Sequence, residues 1–206
     1  MSRPDVVVID SGGANLASLL YALGRLGTRA EVSTDAARIR EATHVLLPGV
    51  GAAHDTMKRL DANGLAAVIP TLTQPLLGIC LGMQLLFDAS DEAAAGTSTT
   101  RTLGVVPGQV KRLPATPELP VPHMGWNQLN LLRNDPLFDG IGAGEYLYFV
   151  HSYAAPLTGD TLATTDYGTS FSAAVKRANF RGVQFHPERS ATVGARLLAN
   201  FIALES

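Results

Sequence analysis

Short apolar runs alternate with amphipathic segments along the first half of the chain. The run VVVI at residues 6–9 is continuous and mostly β-branched, as buried parallel strands are. Leucines recur at helical spacing from Leu16 to Leu26 and end at Gly27, which predicts an amphipathic helix. The pattern also predicts strands at 29–33, 45–47 and 75–79, a helical stretch through Met57, Leu60 and Leu65, and a helix over 81–89. Strands separated by helices indicate a parallel sheet with right-handed crossovers.

The second half of the chain has a different pattern, rich in short β-type runs. It predicts strands at 105–113, 126–131, 146–153, 161–165 and 173–185, a hairpin turn at Ala178-Asn179, surface loops at 93–101 and 114–120, and a closing helix over 192–204. We expect this half to extend the same sheet and to form the rim of a site. The fold class is therefore α/β, with one domain over 1–206 and a central, mostly parallel (mixed) sheet flanked by helices.

Composition narrows the classes of protein that fit this pattern. The 206 residues are 46% hydrophobic and 17% charged, which is typical of a folded domain. The net charge is −2 with no basic block, so we expect neither nucleic acid nor an anionic membrane as a partner. Cys80 is the single cysteine, which excludes an internal disulfide and fits a reducing cytoplasm. We find no signal peptide or membrane-spanning stretch, and we predict a cytoplasmic protein.

The segment GICLG at 78–82 is the clearest local indication of a catalytic residue. It lies where an apolar strand meets a helix, which is the layout of a nucleophile elbow with cysteine in place of serine. Glycines on both sides of Cys80 suit a tight, strained turn. The helix N-terminus favours the thiolate form, and the Leu81 N–H points toward a developing oxyanion. The alternative is a buried structural cysteine.

The segment QFHPE at 184–188 offers a base for this nucleophile. Pro187 disfavours helix at His186, so the segment is predicted to be extended. In an extended chain His186 and Glu188 face the same side, which lets the carboxylate hold the imidazole in one tautomer. A surface His–Glu pair and a metal pair are the alternatives. The other four histidines lack ligand-like spacing, so we predict no metal and no cofactor.

Two further features suggest a small polar substrate near Cys80. The segment PGVG at 48–51 ends the third predicted strand, and sites form at the carboxyl ends of parallel strands. Its glycines allow a backbone to approach substrate, although an ordinary strand-to-helix turn has the same composition. Gln84 lies one helical turn after Cys80, where it either contacts substrate or is exposed. The glycines after the first strand lack the spacing of a dinucleotide-binding loop.

Together these motifs resemble those of a known family, over most of the chain. GICLGMQLLF at 78–87 and GVQFHPE at 182–188 closely resemble class I glutamine amidotransferases. PHMGWN at 122–127, YFVHSY at 148–153 and PGVG are similar to the glutaminase subunits of imidazole glycerol phosphate synthases, which act in histidine biosynthesis. The turn at 11–14 and the long loop at 93–101 depart from that pattern.

The resemblance implies specific roles for these residues. It implies a catalytic triad of Cys80, His186 and Glu188, and an oxyanion hole from the backbone N–H groups of Val50, after a peptide flip, and Leu81. It also implies that glutamine is held by a set of residues from several loops: Gly49, Gln84, Glu92 and Ser152.

The resemblance also implies a partner and a reaction. The partner is a (β/α)8-barrel cyclase, forming a heterodimer through Asn15, His123, Met124, Trp126 and Arg189. The chain would hydrolyse glutamine through a glutamyl thioester and pass ammonia to the cyclase. The alternatives are a glutaminase serving anthranilate, pyridoxal phosphate or guanylate synthesis, a cysteine peptidase, and a non-catalytic scaffold.

Overall fold

The computed structural model describes residues 6–12 and 16–205. The first half contains Val6–Ile9 (β1), Leu16–Arg25 (α1), Ala30–Ser33 (β2), Ala36–Glu41 (α2), His44–Gly49 (β3), Ala53–Ala62 (α3), Leu65–Val68 (α4), Leu76–Cys80 (β4) and Leu81–Gln84 (α5). The rest contains Phe87–Ser90 (β5), Thr100–Arg101 (β6), Val106–Arg112 (β7), His123–Gln128 (β8), Asn130–Leu131 (β9), Tyr146–His151 (β10), Tyr153–Ala154 (β11), Thr161–Asp166 (β12), Ser170–Arg177 (β13), Phe180–Val183 (β14) and Ala191–Ile202 (α6). Short 3₁₀ turns cover Ile69–Thr71, Pro136–Phe138 and Pro187–Arg189.

A mixed sheet forms the centre of the described structure. Its strand order is β2-β1-β3-β4-β14-β13-β12-β9. The strands from β2 to β14 in this order are parallel, and β13, β12 and β9 continue the sheet in antiparallel pairing. The predicted α/β class with a mostly parallel, mixed sheet is confirmed. The hairpin turn predicted at 178–179 is confirmed as well, since Ala178 has a φ of 51° between β13 and β14.

Helices cover both faces of this sheet because successive strand residues point to opposite sides. In β1, Val6 and Val8 pack into one core with α1 and α6. Val7 and Ile9 pack into the other core with α2, α3 and α4. A strand buried on both faces must be apolar at every position, which explains the uninterrupted run at 6–9. Within the described residues every helix is too short or too polar to cross a lipid bilayer.

The prediction that the whole second half extends the main sheet was only partly right. Strands β9, β12, β13 and β14 do extend it. The strands β10 and β8 form a separate antiparallel ribbon, and β11-β7-β5-β6 form a third, four-stranded sheet. The segment predicted as a loop at 93–101 ends in β6, which pairs with β5.

The helix predicted over 81–89 was wrong beyond its first turn. The helix ends at Gln84, and Phe87–Ser90 forms β5. The backbone carbonyls of Leu86 and Phe87 accept hydrogen bonds from the N–H groups of Val106 and Gly104, respectively. Residues distant in sequence therefore provide the hydrogen bonds that a helix would have made within itself. Leu85, Leu86 and Phe87 are fully buried. A short run that is apolar on every side does not distinguish a buried helix from a buried strand.

Gly82 is where α5 meets β3, and this contact leaves no room for a side chain. A Cβ at Gly82 would lie 1.7 Å from the Leu47 carbonyl oxygen, so Gly82→Ala must push α5 away from β3. We expect it to lower the unfolding free energy by about 3 kcal/mol or more in urea denaturation.

Gly24→Ala is the matched control, because a Cβ at Gly24 in α1 meets nothing within 4 Å. Replacing a helix glycine in open space by alanine should raise the unfolding free energy by about 0.5–1 kcal/mol. Equal urea midpoints for Gly82→Ala and the wild type would contradict the close approach.

Candidate active site

Cys80 lies in a strained turn at the end of β4. Its φ of 54° and ψ of −112° place a non-glycine residue in a region that side chains rarely adopt. A Cβ at Gly78 would meet the Gly82 carbonyl oxygen at 2.7 Å, so both flanking glycines are needed for the turn to close. The predicted elbow is confirmed in its geometry.

The helix after Cys80 is shorter than the sequence suggested. It consists of the single turn Leu81–Gln84, so few aligned peptide dipoles point at the sulfur. The positive group beside Cys80 is instead the imidazole of His186, whose charge interacts with the sulfur.

His186 follows β14 and carries a buried carboxylate partner. Its Nδ1 lies 2.8 Å from Glu188 Oε1, with side-chain exposures of 8% and 10%. The predicted pairing of these side chains is present, but the reason given for it was incomplete. His186 is extended, whereas Glu188 lies in the 3₁₀ turn Pro187–Arg189, which folds the carboxylate back toward the ring.

The surroundings of His186 keep it protonated. Burial by itself lowers its pKa, but the Cys80 sulfur and the Glu188 carboxylate together raise the pKa of His186 to about 10. Since Nδ1 is taken by Glu188, the ring nitrogen that serves Cys80 is Nε2. Nε2 is buried and makes no hydrogen bond of ordinary geometry with the described residues. The arrangement therefore favours an imidazolium next to the sulfur.

One cavity of about 360 Å³ contains these three residues. Its lining also includes every residue that the sequence assigned to the oxyanion hole or to substrate, namely Gly49, Val50, Leu81, Gln84, Glu92 and Ser152. The convergence follows from the sheet, because Gly49 pairs in register with Cys80 and Val183 pairs with Ile79. The carboxyl ends of β3, β4 and β14 therefore open into the same cleft.

Gln84 and Glu92 are already engaged by the protein. Gln84 Nε2 donates to the Tyr153 carbonyl oxygen at 2.8 Å and to Gln184 Oε1 at 2.9 Å, which uses both amide protons. Glu92 Oε2 accepts from the Ala53 N–H at 2.8 Å. Burial raises the pKa of Glu92, although the bond from Ala53 opposes this shift. The Gln84 amide oxygen remains as the atom of that side chain suited to a substrate N–H.

Sequence reasoning missed two residues that support the site. Gln184 Nε2 lies 3.6 Å from Cys80 Sγ, and its place two residues before His186, in a segment that the sequence predicted to be extended, was a signal for this. Ser11 is fully buried and donates from Oγ to the Pro48 carbonyl oxygen at 2.7 Å, which anchors the end of β3. No local pattern points to that contact across 37 residues.

The residues predicted to contact a partner have different surroundings. Met124 and Trp126 are 65% and 52% exposed, on the outer face of the β8–β10 ribbon beside Tyr146. The Arg189 guanidinium lies 4.5 Å from the ring centroid of Tyr148 on the same ribbon. His123 is only 3% exposed and points inward, so its side chain does not belong to that outer face. Asn15 lies outside the described residues.

The site brings a buried cysteine next to an imidazole that has a buried carboxylate partner. A thiolate beside an imidazolium can attack a carbonyl carbon, and the imidazolium can then protonate the leaving group. Among residues 6–12 and 16–205 no group of three or more His, Cys, Asp and Glu side chains is placed to hold a metal ion. Fold and site together define an α/β protein with a cysteine–histidine–glutamate centre at the strand ends.

Comparison with known proteins identifies the family. The model of the family described as glutamine amidotransferase class-I matches residues 7–204, and the chain belongs to this family.

Two relatives named imidazole glycerol phosphate synthase subunit HisH are similar to the chain. The Shewanella loihica protein is 49% identical over 211 residues, covering 100% of this chain and 93% of that protein. A Xanthomonas oryzae protein is 50% identical over 200 residues, covering 97% and 98%. Among solved structures, a GMP synthase component from Thermoplasma acidophilum superposes with a TM-score of 0.72 at 19% identity, covering 98% and 94%. At that sequence identity, the similarity to the Thermoplasma protein shows only that the two chains share a fold.

The charge on His186 can be tested by NMR titration of its ring. We expect the wild-type ring to titrate near pH 10, since the sulfur and Glu188 hold its proton. In Cys80→Ala the sulfur is gone and burial still opposes the charge, so the titration should move to lower pH. An unchanged titration in that variant would show that the sulfur does not act on the ring.

Proposed function

We propose that this chain hydrolyses glutamine to glutamate and ammonia and supplies the ammonia to a cyclase subunit of imidazole glycerol phosphate synthase. The observation that carries the proposal is the meeting of Cys80, His186 and Glu188 in one cavity of a class I glutamine amidotransferase. The names of relatives at 49% and 50% identity support the assignment to histidine biosynthesis. The cyclase would then form imidazole glycerol phosphate and the aminoimidazole-carboxamide ribonucleotide.

The first half of the reaction forms a γ-glutamyl thioester. The Cys80 thiolate attacks the carboxamide carbon of glutamine, and the charge that develops on the carbonyl oxygen requires two N–H donors. We assign these donors to Leu81, at the start of α5, and to Val50, whose peptide would turn over next to Gly49 and Gly51. The His186 imidazolium gives its Nε2 proton to the leaving nitrogen, the C–N bond breaks, and ammonia departs.

The second half regenerates the enzyme. Neutral His186 takes a proton from water, the resulting hydroxide attacks the thioester carbon, and the C–S bond breaks to release glutamate and the thiolate. Glu188 keeps Nδ1 protonated throughout, so that Nε2 is the nitrogen that exchanges protons. No cofactor is required for these steps.

Glutamine recognition follows from the groups around the cavity. A substrate with its carboxamide at Cys80 directs its α-ammonium and α-carboxylate toward the opposite wall. We assign the Gln84 amide oxygen and the Glu92 carboxylate to the ammonium group, and Ser152 to the remaining polar contacts, because all three line the cavity. Gly49 contributes backbone alone, which allows the substrate to approach closely.

The exposed face of the β8–β10 ribbon is the surface we assign to the (β/α)8-barrel cyclase. Large hydrophobic and aromatic side chains that are half exposed or more are typical of interface centres. Met124, Trp126 and Tyr146 meet that description, and Arg189 adds a cation suited to an acidic residue of the barrel. Asn15 stays a prediction for this interface, as does the cytoplasmic location.

Substitution of Cys80 tests the nucleophile. Cys80→Ala removes the attacking atom, so glutamate release should fall by at least about 10³-fold in a coupled glutamate assay. Glu188→Gln should lower the rate as well, because the amide no longer holds the imidazolium. Circular dichroism serves as the folding control. Glutamate release by Cys80→Ala at the wild-type rate would exclude this chemistry.

Substitution of Trp126 tests the partner surface. Trp126→Ala removes an exposed aromatic ring, and we expect the Kd for the purified barrel cyclase to rise roughly 10-fold or more. Leu157→Ala is the control, because Leu157 is 53% exposed and lies outside the ribbon. Calorimetric titration measures both. The surface would be misassigned if the two variants bound the cyclase with equal affinity.

A further inference from the structure

A chain of buried polar groups runs from the β8–β10 ribbon into the lining of the glutamine cavity, which includes His151. His123 on β8 and His151 on β10 are opposite each other in register, and His123 Nδ1 lies 3.0 Å from His151 Nε2. At one end Asn127 Nδ2 lies 3.2 Å from His123 Nε2. At the other end His151 Nδ1 lies 2.8 Å from the Tyr153 carbonyl oxygen. His123 and His151 were not assigned a role in the chemistry above.

The two ends of this chain fix the tautomer of both rings. A carbonyl oxygen only accepts, so His151 must carry its proton on Nδ1 and accept at Nε2. That acceptor receives the Nδ1 proton of His123, whose Nε2 then accepts from the Asn127 amide. All the hydrogen bonds run in one direction, from Asn127 to Tyr153. Each ring satisfies this order only when it is neutral.

The surroundings keep both rings neutral. His123 stacks on Tyr167 at 4.1 Å and on Phe149 at 5.0 Å, and His151 packs edge-on against Phe171 at 5.1 Å. Burial lowers the pKa of His123 to about 4. Burial is the main cause that lowers the pKa of His151 to about 3; repulsion from His186, or from His123 once it is protonated, adds to this, and the hydrogen bond to the Tyr153 carbonyl opposes it. The pair therefore does not change charge near neutral pH.

The chain continues from Tyr153 to the nucleophile. The same carbonyl oxygen accepts from Gln84 Nε2 at 2.8 Å, and Gln84 Nε2 also donates to Gln184 Oε1 at 2.9 Å. Gln184 Nε2 in turn lies 3.6 Å from Cys80 Sγ. Two imidazoles on the ribbon are thereby connected to the sulfur through three residues that border it or the cavity.

We propose that His123 and His151 are positioning residues that hold the cavity wall at Ser152 and Tyr153, and with it Gln84, in the geometry that binds glutamine. The His151 ring spans Ser152 to reach the carbonyl of Tyr153, so it fixes the local backbone from which Ser152 lines the cavity. The inference rests on the proposed glutaminase function. It assigns this function His123, which is outside the cavity lining, and His151, which belongs to that lining and acts through its bond to the Tyr153 carbonyl.

The physical reason is the loss of a buried hydrogen-bond partner. Without the His123 donor, the buried Nε2 acceptor of His151 has no partner, and the ring recovers one only by leaving its present position. That movement displaces the bond between His151 Nδ1 and the Tyr153 carbonyl, so the carbonyl shifts. Because Gln84 donates to that same carbonyl, its amide moves as well. Glutamine binding is the property that this displacement should weaken.

Paired substitutions separate the donor from the bulk of the ring. Leucine at either position fills much of the volume and removes every hydrogen bond, whereas asparagine places an amide N–H2 where imidazole Nδ1 stands. The experiment compares His123→Leu with His123→Asn, and His151→Leu with His151→Asn. Each variant is assayed as the full chain with the barrel cyclase and its nucleotide, and kcat and KM for glutamine are measured separately.

We expect the leucine variants to raise KM for glutamine roughly tenfold. A change of this size corresponds to the cost of leaving one buried polar group without its partner. The asparagine variants should stay close to the wild-type KM, and kcat should change less than KM in all four. His44→Leu is the matched control. His44 is also a buried histidine bonded to a backbone carbonyl, Leu204 O at 2.9 Å, but it begins β3 at the end away from the cavity.

Nitrogen-15 NMR of the wild type provides a direct measurement of the hydrogen-bond order. Both rings should show a proton on Nδ1 and none on Nε2 at neutral pH. A ring with the Nε2–H tautomer or a charged ring at that pH would overturn the proposal. So would leucine variants whose KM equals that of the wild type, or asparagine variants no better than leucine.

These outcomes are distinct from a failure of the proposed function. A wild-type chain that releases no glutamate with the cyclase would overturn the glutaminase function, and the positioning role with it. An active wild type whose Cys80→Ala variant is inactive, combined with leucine variants of normal KM, would overturn the positioning role alone.

Discussion

The site depends on the close contact between the backbone of the turn after Cys80 and the end of β3. The contact is possible only because Gly82 has no side chain to meet the Leu47 carbonyl. It stabilises the unfavourable φ of Cys80, and it places the 49–51 loop beside the sulfur through the pairing of Gly49 with Cys80. The surrounding sheet supplies the packing that offsets this local strain.

Electrostatics in the cavity follow from where β14 ends. Strand β14 pairs with β4, so the chain that leaves β14 brings His186 next to Cys80. A buried imidazole ordinarily loses its proton, as His123 and His151 illustrate a short distance away. His186 differs because a sulfur and a carboxylate flank it. Two kinds of histidine, one charged and two neutral, therefore lie within one small region.

The β8–β10 ribbon has one exposed face and one buried face because its side chains alternate. One face presents Met124 and Trp126 to solvent, and the other buries His123 and His151, of which His151 lines the cavity. In a two-stranded ribbon, successive side chains point to opposite faces. The proposed partner surface and the cavity side are therefore the two faces of the same ribbon. Residues close in sequence therefore belong both to the surface proposed for the partner and to the surroundings of the cavity.

The sequence by itself determined the features that depend on neighbouring residues. The uninterrupted run at 6–9 predicted a strand buried on both faces, and the glycines around Cys80 predicted the elbow. Tertiary structure decided the features that depend on distant partners. The segment 81–89 becomes helix and then strand because residues 104–106 donate hydrogen bonds to its carbonyls. His123 faces inward because rings from β10, β13 and the turn before β13 enclose it. Ser11 bonds to Pro48 across 37 residues. Steric limits on the backbone depend on adjacent side chains, and these can be read from the sequence. Burial and strand pairing depend on which distant segments the folded sheet brings together.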